Sequence, residues 1–385
     1  MLNFSLMQDA KILFGVGSCS QIAEILQDGG YKNPLVAYDK GVKAAGVVDK
    51  ILKSLDAAGI KYCEYDEVIP DPPDDMIEKG FKVFTDAKCD CAIAVGGGSS
   101  IDTAKAINFM SYNPPPILQY VNPAVQTKRA LGLISIPTTA GTGSELSDGM
   151  VITDSKTGEK IPIRGPDAMS EYIIIDPELM VGMPPELTMF TGLDAMAHAV
   201  ESYTTILGNL MKDQIAEKVI EIVYKWLPVA VKDGKNIEAR SYMGIAASLG
   251  GFMLAQAGTH VGHTIAHMLG ARFHVPHGAG CALAEPHCLE INAIAVPEKT
   301  RKIGELMGAK FTGKETPEEI GAITRDAFIK FRDADLGMKP ASAFNMDKSL
   351  IGVMADVAVN DVFVTLNPLK LTRDNIVSLL DKSMS

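Results

Sequence analysis

The hydrophobic pattern of the first half of the chain alternates between two kinds of segment. Short apolar runs rich in β-branched residues predict strands, and the segments between them, where apolar residues recur about every 3.6 positions, predict helices. The predicted strands are NPLVAYD ending at Asp39, KYCEYDEVI, DCAIAVG, LGLISIPTT and YIIIDPELM, which ends near Asp176. This alternation predicts a parallel sheet with helices on both faces.

The pattern changes after about Met183. The segments PPELTMFTGLDAMAHAVESYT, DQIAEKVIEIVYKWLPVAV, ARSYMGIAASLGGFMLAQAG and PEKTRKIGELMGA all have the helical period, and β-branched runs become rare. We therefore expect an α/β domain over residues 1–183 and an all-helical domain over residues 184–385. A chain of 385 residues suits two domains of about 100–200 residues each.

The composition of the chain argues against a nucleic-acid-binding, a secreted or a membrane-spanning protein. The net charge of −11 argues against a nucleic acid as the main partner, because phosphate contacts need clustered Lys and Arg. The N-terminal stretch lacks the pattern of a signal peptide, and no apolar run reaches the ~18 residues of a membrane span. Six irregularly spaced cysteines suit free thiols in a reducing compartment. We expect a soluble cytoplasmic enzyme with no membrane partner.

A glycine turn follows the third predicted strand, in AIAVGGGSSIDTAK. Glycines let a phosphate approach the backbone, and the unpaired N–H groups at a helix start favour an anion. The turn is not the GxGxxG fingerprint. A tight strand-to-helix connection without a ligand is the alternative. The candidate cofactor-binding residues are Gly97, Gly98, Ser99 and Asp102, of which the last two are also available for helix capping.

A threonine loop, PTTAGTGSE, follows the next strand and offers Thr138, Thr139 and Thr142. Two polar loops at the carboxyl ends of strands in one sheet indicate a ligand site there. Asp39 ends another strand, where its carboxylate could accept from ribose hydroxyls. That would favour NAD, since a carboxylate repels the 2′-phosphate of NADP. An ordinary helix cap is the alternative for Asp39.

Histidines are concentrated in one segment, since five of the seven lie between Gly258 and Gly278. Residues four apart share one face of a helix, and His263 and His267 have this spacing. Asp194 and His198 repeat it in GLDAMAHAVE.

His277 follows in VPHG, where Pro276 and Gly278 predict a fixed turn rather than a helix. Three nitrogens and one carboxylate suit a divalent transition ion, iron(II) or zinc in particular. Hydrogen-bonded core histidines are the alternative. The predicted ligands are Asp194, His198, His263 and His277.

Several motifs together resemble the iron-containing (group III) alcohol dehydrogenases over nearly the whole chain. They are ILFGVGS, GGGSSIDTAK, PTTAGTGSE, GLDAMAHAVESY and GHTIAHMLGARFHVPHG. The resemblance implies an NAD-binding α/β domain, a helical metal-binding domain, the same four ion ligands and a homodimer or higher homo-oligomer. It places His267 near the nicotinamide without binding the ion. It also places Asp71, Ser147 and Lys160 at or near the cofactor.

Two segments depart from the family pattern. IPDPPDD stands where Pro-Asn-Pro is common, so Asp71 replaces an amide, and DVFVTLNPLK replaces a segment that shapes the substrate pocket in relatives. The substrate is therefore not transferred from any relative.

The expected reaction is reversible hydride transfer between NAD(H) and a short-chain primary alcohol or its aldehyde. The ion would act as a Lewis acid, and His267 would relay a proton to or from water. We expect iron, with zinc as the alternative, because ligand type does not distinguish them. Arg164 and Arg272 suggest a small anionic aldehyde such as sulfoacetaldehyde or succinic semialdehyde, unless they form structural salt bridges.

Three other functions fit the sequence less well. A metal- and NAD-dependent lyase of the dehydroquinate synthase kind would need several cationic residues, and the histidine-rich stretch offers only Arg272. A metal-dependent hydrolase lacks a recognisable nucleophile pairing. A non-catalytic binding protein leaves the ligand set unexplained.

Overall fold

The computed structural model describes Leu6 and residues 8–385. The chain folds into two compact units, Leu6–Gly182 and Met183–Ser385.

The first unit is built on a six-stranded sheet in which every strand pair is parallel. Its strands are β1 (Lys11–Phe14), β2 (Pro34–Asp39), β3 (Cys63–Val68), β4 (Cys91–Gly96), β5 (Leu133–Pro137) and β8 (Tyr172–Ile175). Their spatial order is β1-β8-β5-β4-β2-β3. The separate antiparallel pair consists of β6 (Gly149–Thr153) and β7 (Lys160–Arg164).

Helices cover both faces of this sheet. They are α1 (Ile22–Gly29), α2 (Lys40–Ala44), α3 (Val47–Ala57), α4 (Asp74–Asp86) and α5 (Gly98–Met110). Successive residues of β4 point to opposite faces, so that Ala92 and Ala94 pack with α4 and α5, whereas Ile93 and Val95 pack with α1 and α3. Burial on both faces explains the continuous apolar run, and the predicted parallel α/β architecture is confirmed.

The second unit contains helices and no strand among its described residues. Its α-helices are α6 (Pro185–Thr204), α7 (Leu210–Lys232), α8 (Ile237–Ala257), α9 (Val261–Phe273), α10 (His277–Asn292), α11 (Pro297–Leu306), α12 (Pro317–Lys330), α13 (Ile351–Ala358) and α14 (Arg373–Ser383). The prediction of a helical second half is confirmed. Helix α6 is buried at every residue from Gly192 to Thr204 and packs against α7, α8 and α10. Within the described part of the chain, no helix is both long and apolar enough to cross a bilayer.

Candidate metal and cofactor site

Helix α6 carries the first two predicted ion ligands on one face. Asp194 and His198 are one turn apart, and both are almost fully buried. The ring Nε2 of His198 lies 3.6 Å from Oδ1 of Asp194. The i, i+4 spacing read from the sequence therefore places both side chains at one point inside the helical unit.

The other two predicted ligands reach the same carboxylate oxygen from α9 and α10. Nε2 of His263 lies 3.8 Å from Oδ1 of Asp194, and Nε2 of His277 lies 3.3 Å from it. Glycine makes the close approach of α10 to α6 possible, because a Cβ on Gly278 would lie 1.8 Å from the carbonyl oxygen of Phe190. Any larger residue at this position would push His277 away from Asp194.

The prediction of a fixed turn around His277 is wrong. His277 is the first residue of α10, Pro276 is its N-cap, and Gly278 lies within the helix. Proline is compatible with a helix start because its missing N–H would have no partner within the helix. As a result Cys281 lies one turn from His277 on the same face, with Sγ 3.7 Å from Nε2 of His277. The sequence signal for Cys281 was this i, i+4 spacing, which the assignment of a turn concealed.

The donor atoms have a spacing that suits a divalent ion. Two ligands bound tetrahedrally to one ion by bonds of about 2.0–2.2 Å are about 3.4 Å apart. The three imidazole nitrogens lie 3.3–3.8 Å from Oδ1 of Asp194. That oxygen is buried and has no hydrogen-bond partner among the described residues. Because an unsatisfied buried acceptor costs about 1–3 kcal/mol, the residues fit a cation at this point.

The charges of the first two ligands also suit an ion. Burial by itself raises the pKa of Asp194, but His198, His277 and His263 together outweigh it and the pKa is lowered. Burial lowers the pKa of His198 to about 4 against the opposing effect of Asp194. The carboxylate is therefore ionised and the His198 imidazole neutral near neutral pH, which are the forms that bind metals.

Glu201 orients one ligand from behind. Its carboxylate, fully buried on α6, accepts a hydrogen bond from Nδ1 of His263 and another from the backbone N–H of His260 at 2.5 Å. A carboxylate on Nδ1 leaves Nε2 as the metal-binding nitrogen. Burial lowers the pKa of His263, but Glu201 and Asp194 together outweigh it and the pKa is raised. Sequence reasoning missed Glu201, although it lies three residues after His198 and so on the same face of the helix.

A second carboxyl group lies behind Glu201. Glu285 of α10 is fully buried, and burial together with the charge of Glu201 raises its pKa well above the ordinary value. Both carboxyl groups lie close to Gly262, where a Cβ would be within 3 Å of an oxygen of each. Glu285 is therefore a neutral acid beside an ionised one.

His267 lies beside the ligands, one turn along α9 from His263. Its ring centroid is 5.3 Å from that of His277 and 6.1 Å from that of His263. On another side it is 5.8 Å from the ring of Phe363. The side chain is half-buried, in contrast to the buried ligands of α6.

In the first unit, the glycine turn and the threonine loop touch each other. A Cβ on Gly97 would lie 3.1 Å from the side chain of Thr139, and one on Gly98 would lie 2.9 Å from that of Thr142. Adjacent parallel strands β4 and β5 end at these two loops. No side chain caps the N-terminus of α5, so its first N–H groups remain available to an anion.

Asp102, which the sequence makes available for capping, does not cap α5. Asp102 is buried and accepts hydrogen bonds from the hydroxyl of Ser144 and from the backbone N–H of Val151 at 2.9 Å. Its position, one turn inside the helix, directs it toward the β6 strand rather than back to the first turn. Ser99, at the helix start, is half-buried.

The remaining predicted cofactor residues have local partners. Oδ1 of Asp39 accepts from the N–H groups of Gly41 and Val42, so Asp39 does cap α2, and its Oδ2 accepts from Ser100 at 3.3 Å. Oδ1 of Asp71 lies 2.7 Å from Nζ of Lys160. The hydroxyl of Ser147 lies 3.4 Å from Nζ of Lys105, and the backbone N–H of Thr138 donates to the carbonyl oxygen of Gly96.

Comparison with known proteins decides the family. The model of iron-containing alcohol dehydrogenases matches residues 9–177, and the model of the C-terminal domain of Fe-containing alcohol dehydrogenases matches residues 188–384. The chain belongs to the iron-containing alcohol dehydrogenase family. As a member of this family the protein is an alcohol or aldehyde oxidoreductase, and the lyase alternative is not favoured.

Three relatives of the family illustrate the match. Lactaldehyde reductase of Escherichia coli K12 is 34% identical over 371 residues, covering 95% of this chain and 96% of the relative. NAD-dependent methanol dehydrogenase of Bacillus methanolicus is 31% identical over 386 residues, covering 100% of both chains. The crystal structure of a 1,3-propanediol oxidoreductase superposes with a TM-score of 0.94 at 32% identity, covering 99% of this chain and 100% of that one.

Proposed function

We propose that this alcohol dehydrogenase is metal-dependent, uses NAD(H), and interconverts short-chain primary alcohols and aldehydes. One observation carries the proposal: Oδ1 of Asp194, buried and without a hydrogen-bond partner among the described residues, lies 3.3–3.8 Å from three imidazole nitrogens. A carboxylate and three imidazoles at these separations suit a binding site for one divalent ion.

Iron(II) is the proposed ion, with zinc as the competing ion, and the proposed ligands are Asp194, His198, His263 and His277. Zinc binds such nitrogen and oxygen donors more tightly than iron(II), so that availability decides which is present. When bound, the ion supplies Lewis acidity to the oxygen of the substrate. Glu201 holds His263 in the tautomer whose Nε2 faces the other donors.

His267 is the proposed proton relay. Its half-buried imidazole lies against the rings of His277 and Phe363, close to the donor atoms without being one of them. In the oxidising direction it would accept the hydroxyl proton of the alcohol and pass it to water. In the reducing direction it would return a proton to the oxygen of the reduced aldehyde.

The proposed NAD site lies in the first unit, Leu6–Gly182. The uncapped N-terminus of α5 offers N–H groups to the pyrophosphate, and the glycine turn allows that approach. Oδ2 of Asp39 accepts a long hydrogen bond of 3.3 Å from the hydroxyl of Ser100, and it is the oxygen proposed to accept from a ribose hydroxyl. The nicotinamide supplies or accepts the hydride. The name of the related NAD-dependent methanol dehydrogenase supports the same cofactor.

The surroundings of the two arginines singled out in the sequence bear on the substrate class. Arg164 is paired with Asp148, with an N–O distance of 3.1 Å, which agrees with a structural salt bridge. Arg272 is exposed in the last turn of α9. Neither favours an anionic substrate, so we propose neutral short aldehydes and alcohols. Sulfoacetaldehyde and succinic semialdehyde belong in the test panel as the competing class.

The test is NADH oxidation over a panel of short neutral and anionic aldehydes, with protein prepared without oxygen and loaded with iron(II). Activity that disappears on chelation and returns with the ion is expected. Replacing both arginines by Met is expected to leave the KM values of neutral and anionic aldehydes unchanged. Activity that survives complete removal of the ion would contradict metal dependence. Light scattering tests the proposed homodimer.

A further inference from the structure

Lys105 is a fully buried cation on α5 that the proposed function does not use. Its ammonium group donates to three backbone carbonyl oxygens, those of Ser144 at 2.8 Å, Ser147 at 3.1 Å and Gly149 at 2.6 Å. An ammonium group has three N–H donors, so one short segment of chain supplies a carbonyl acceptor for each of them. Because a buried charge is costly unless its hydrogen bonds are made, these contacts fix the segment against α5.

The segment held by Lys105 continues directly from the threonine loop. The backbone N–H of Ser144 donates to Oγ1 of Thr142 at 3.3 Å. The side chain of Thr142 is the one that a Cβ on Gly98 would meet at 2.9 Å. A line of hydrogen bonds therefore runs from Lys105 through Ser144 to Thr142, beside the N-terminus of α5 where the pyrophosphate is proposed to bind.

Asp102 holds the same segment from the same helix. Its carboxyl group accepts from the hydroxyl of Ser144 and from the backbone N–H of Val151. Asp102 and Lys105 are three residues apart and so share one face of α5. The carboxyl group accepts where residues 144–151 offer donors, and the ammonium group donates where they offer acceptors. The two side chains together fix the segment that follows the threonine loop.

We propose that Lys105 is a positioning residue for the cofactor, which holds residues 144–149 so that the threonine loop has its binding conformation before NAD(H) arrives. The inference rests on the proposed function, because it requires the dinucleotide to bind at the glycine turn and the threonine loop. A loop that is ordered in advance does not have to be ordered at the expense of binding free energy. The competing interpretation is a cation that stabilises the first unit without any effect on the cofactor.

NADH binding to Lys105→Met, followed by nicotinamide fluorescence in the zinc-loaded, full-length protein, tests the inference. Methionine keeps most of the length of the side chain and removes the three donors. We expect the Kd of NADH to rise about tenfold, or about 1.4 kcal/mol, because the loop must then be ordered on binding. The affinity for zinc is expected to stay at the wild-type value, since all four proposed ligands lie in the second unit.

Lys212→Met is the matched control. Lys212 is an almost fully buried lysine of α7, and its ammonium group donates to the carbonyl oxygens of Leu207 at 3.0 Å and Gln256 at 2.5 Å. The same exchange therefore removes a buried ammonium group from backbone carbonyls in the second unit, away from the glycine turn and the threonine loop. The Kd of NADH is expected to stay at the wild-type value in this variant.

The outcomes separate the inference from the proposed function. A Lys105→Met protein that binds NADH as the wild type does would overturn the positioning role and leave the proposed function intact. An equal loss of NADH affinity in Lys105→Met and Lys212→Met would overturn it too, because the loss would then follow from destabilisation alone. A wild-type protein that binds no NADH would overturn both.

Hydrogen–deuterium exchange of the wild-type protein decides even if Lys105→Met fails to fold. The backbone N–H groups of Ser144, Leu146 and Ser147 are hydrogen-bonded within the loop. We expect them to exchange slowly without NADH and to change little when it is added, because the segment is already held. Rapid exchange that slows only in the presence of NADH would show that the cofactor orders the loop and would overturn the inference.

Discussion

Gly278 is the position where a single methyl group should open the ion site. A Cβ there would lie 1.8 Å from the carbonyl oxygen and 2.6 Å from the carbonyl carbon of Phe190. These are backbone atoms in the interior of the helical unit, so no side-chain rotation can relieve the contact. We expect Gly278→Ala to move the first turn of α10 away from α6.

The magnitude of the movement follows from the contact. Real Cβ contacts essentially never fall below 3.0 Å, so a contact at 1.8 Å requires the two groups to move apart by at least 1.2 Å. His277 precedes Gly278 and moves with it, which would lengthen its present 3.3 Å separation from Asp194 toward 4.5 Å. Ligands of one tetrahedral ion are about 3.4 Å apart, so one ligand is lost.

Two measurements follow, both on Gly278→Ala and on the control Gly270→Ala. A Cβ on Gly270 would make an ordinary 3.5 Å contact with the carbonyl oxygen of Val275. In urea unfolding of the ion-free protein we expect Gly278→Ala to lose about 1–3 kcal/mol through overpacking. The control is expected to gain up to about 1 kcal/mol from helix propensity.

Zinc affinity, measured by competition with a chelator, should fall in Gly278→Ala. Loss of a group that hydrogen-bonds a metal ligand typically costs about 10–100-fold in affinity, and the loss of a ligand itself should cost more. The control should bind zinc as the wild type does. If both variants unfold with the same free energy and bind zinc equally, the account of how α10 approaches α6 is refuted.

Three further predictions concern the buried polar groups. Glu201→Gln should weaken zinc binding about 10–100-fold by removing the charged acceptor of His263. Glu285→Gln, which exchanges a neutral acid for a neutral amide, should leave the zinc affinity measured with a chelator near the wild-type value. An equal loss of zinc affinity in Glu201→Gln and Glu285→Gln would contradict the assignment of Glu201 as ionised and Glu285 as neutral. Zinc affinity should rise with pH through the pKa of His263, which Glu201 and Asp194 raise from its ordinary value, because proton and ion compete for one imidazole; a flat profile there would refute it. Asp102→Ala leaves the N–H of Val151 without its acceptor and should cost about 1–3 kcal/mol in urea unfolding for each donor so stranded.

The sequence predicted five of the six strands of the parallel sheet, including the edge strand β3, and missed β1 and the separate pair β6 and β7. Strands buried on both faces, such as β4 and β5, are continuous apolar runs bounded by glycine or proline, and this signal is strong. Strand β1 has only four residues and is mostly exposed, so its pattern carries little information. Strand β7 contains Pro162, which weakens a strand assignment, and it pairs only with β6.

Helical spacing predicted half of the ion site. It placed Asp194 beside His198, since both belong to one helix. The meeting of α6, α9 and α10 depends on packing between helices distant in sequence, and a pattern along one helix does not contain it. Cys281 was lost for a local reason, because Pro276 and Gly278 were taken as signs of a turn when they begin a helix and permit its close packing.

The packing that brings the donors together has a cost that the proposed ion would offset. Oδ1 of Asp194 and Nδ1 of His198 are buried without hydrogen-bond partners among the described residues. Close packing holds both side chains there. A Cβ on Gly278 would lie 3.3 Å from the Cβ of Asp194, and a Cβ on Gly250 would lie 3.4 Å from the Cβ of His198. Each unsatisfied group costs about 1–3 kcal/mol. An ion that binds only the folded chain adds about 4 kcal/mol when present at a thousand times its Kd. Removal of the ion should therefore lower the stability of the helical unit as well as abolish activity, so the same residues link metal content to folding and to chemistry.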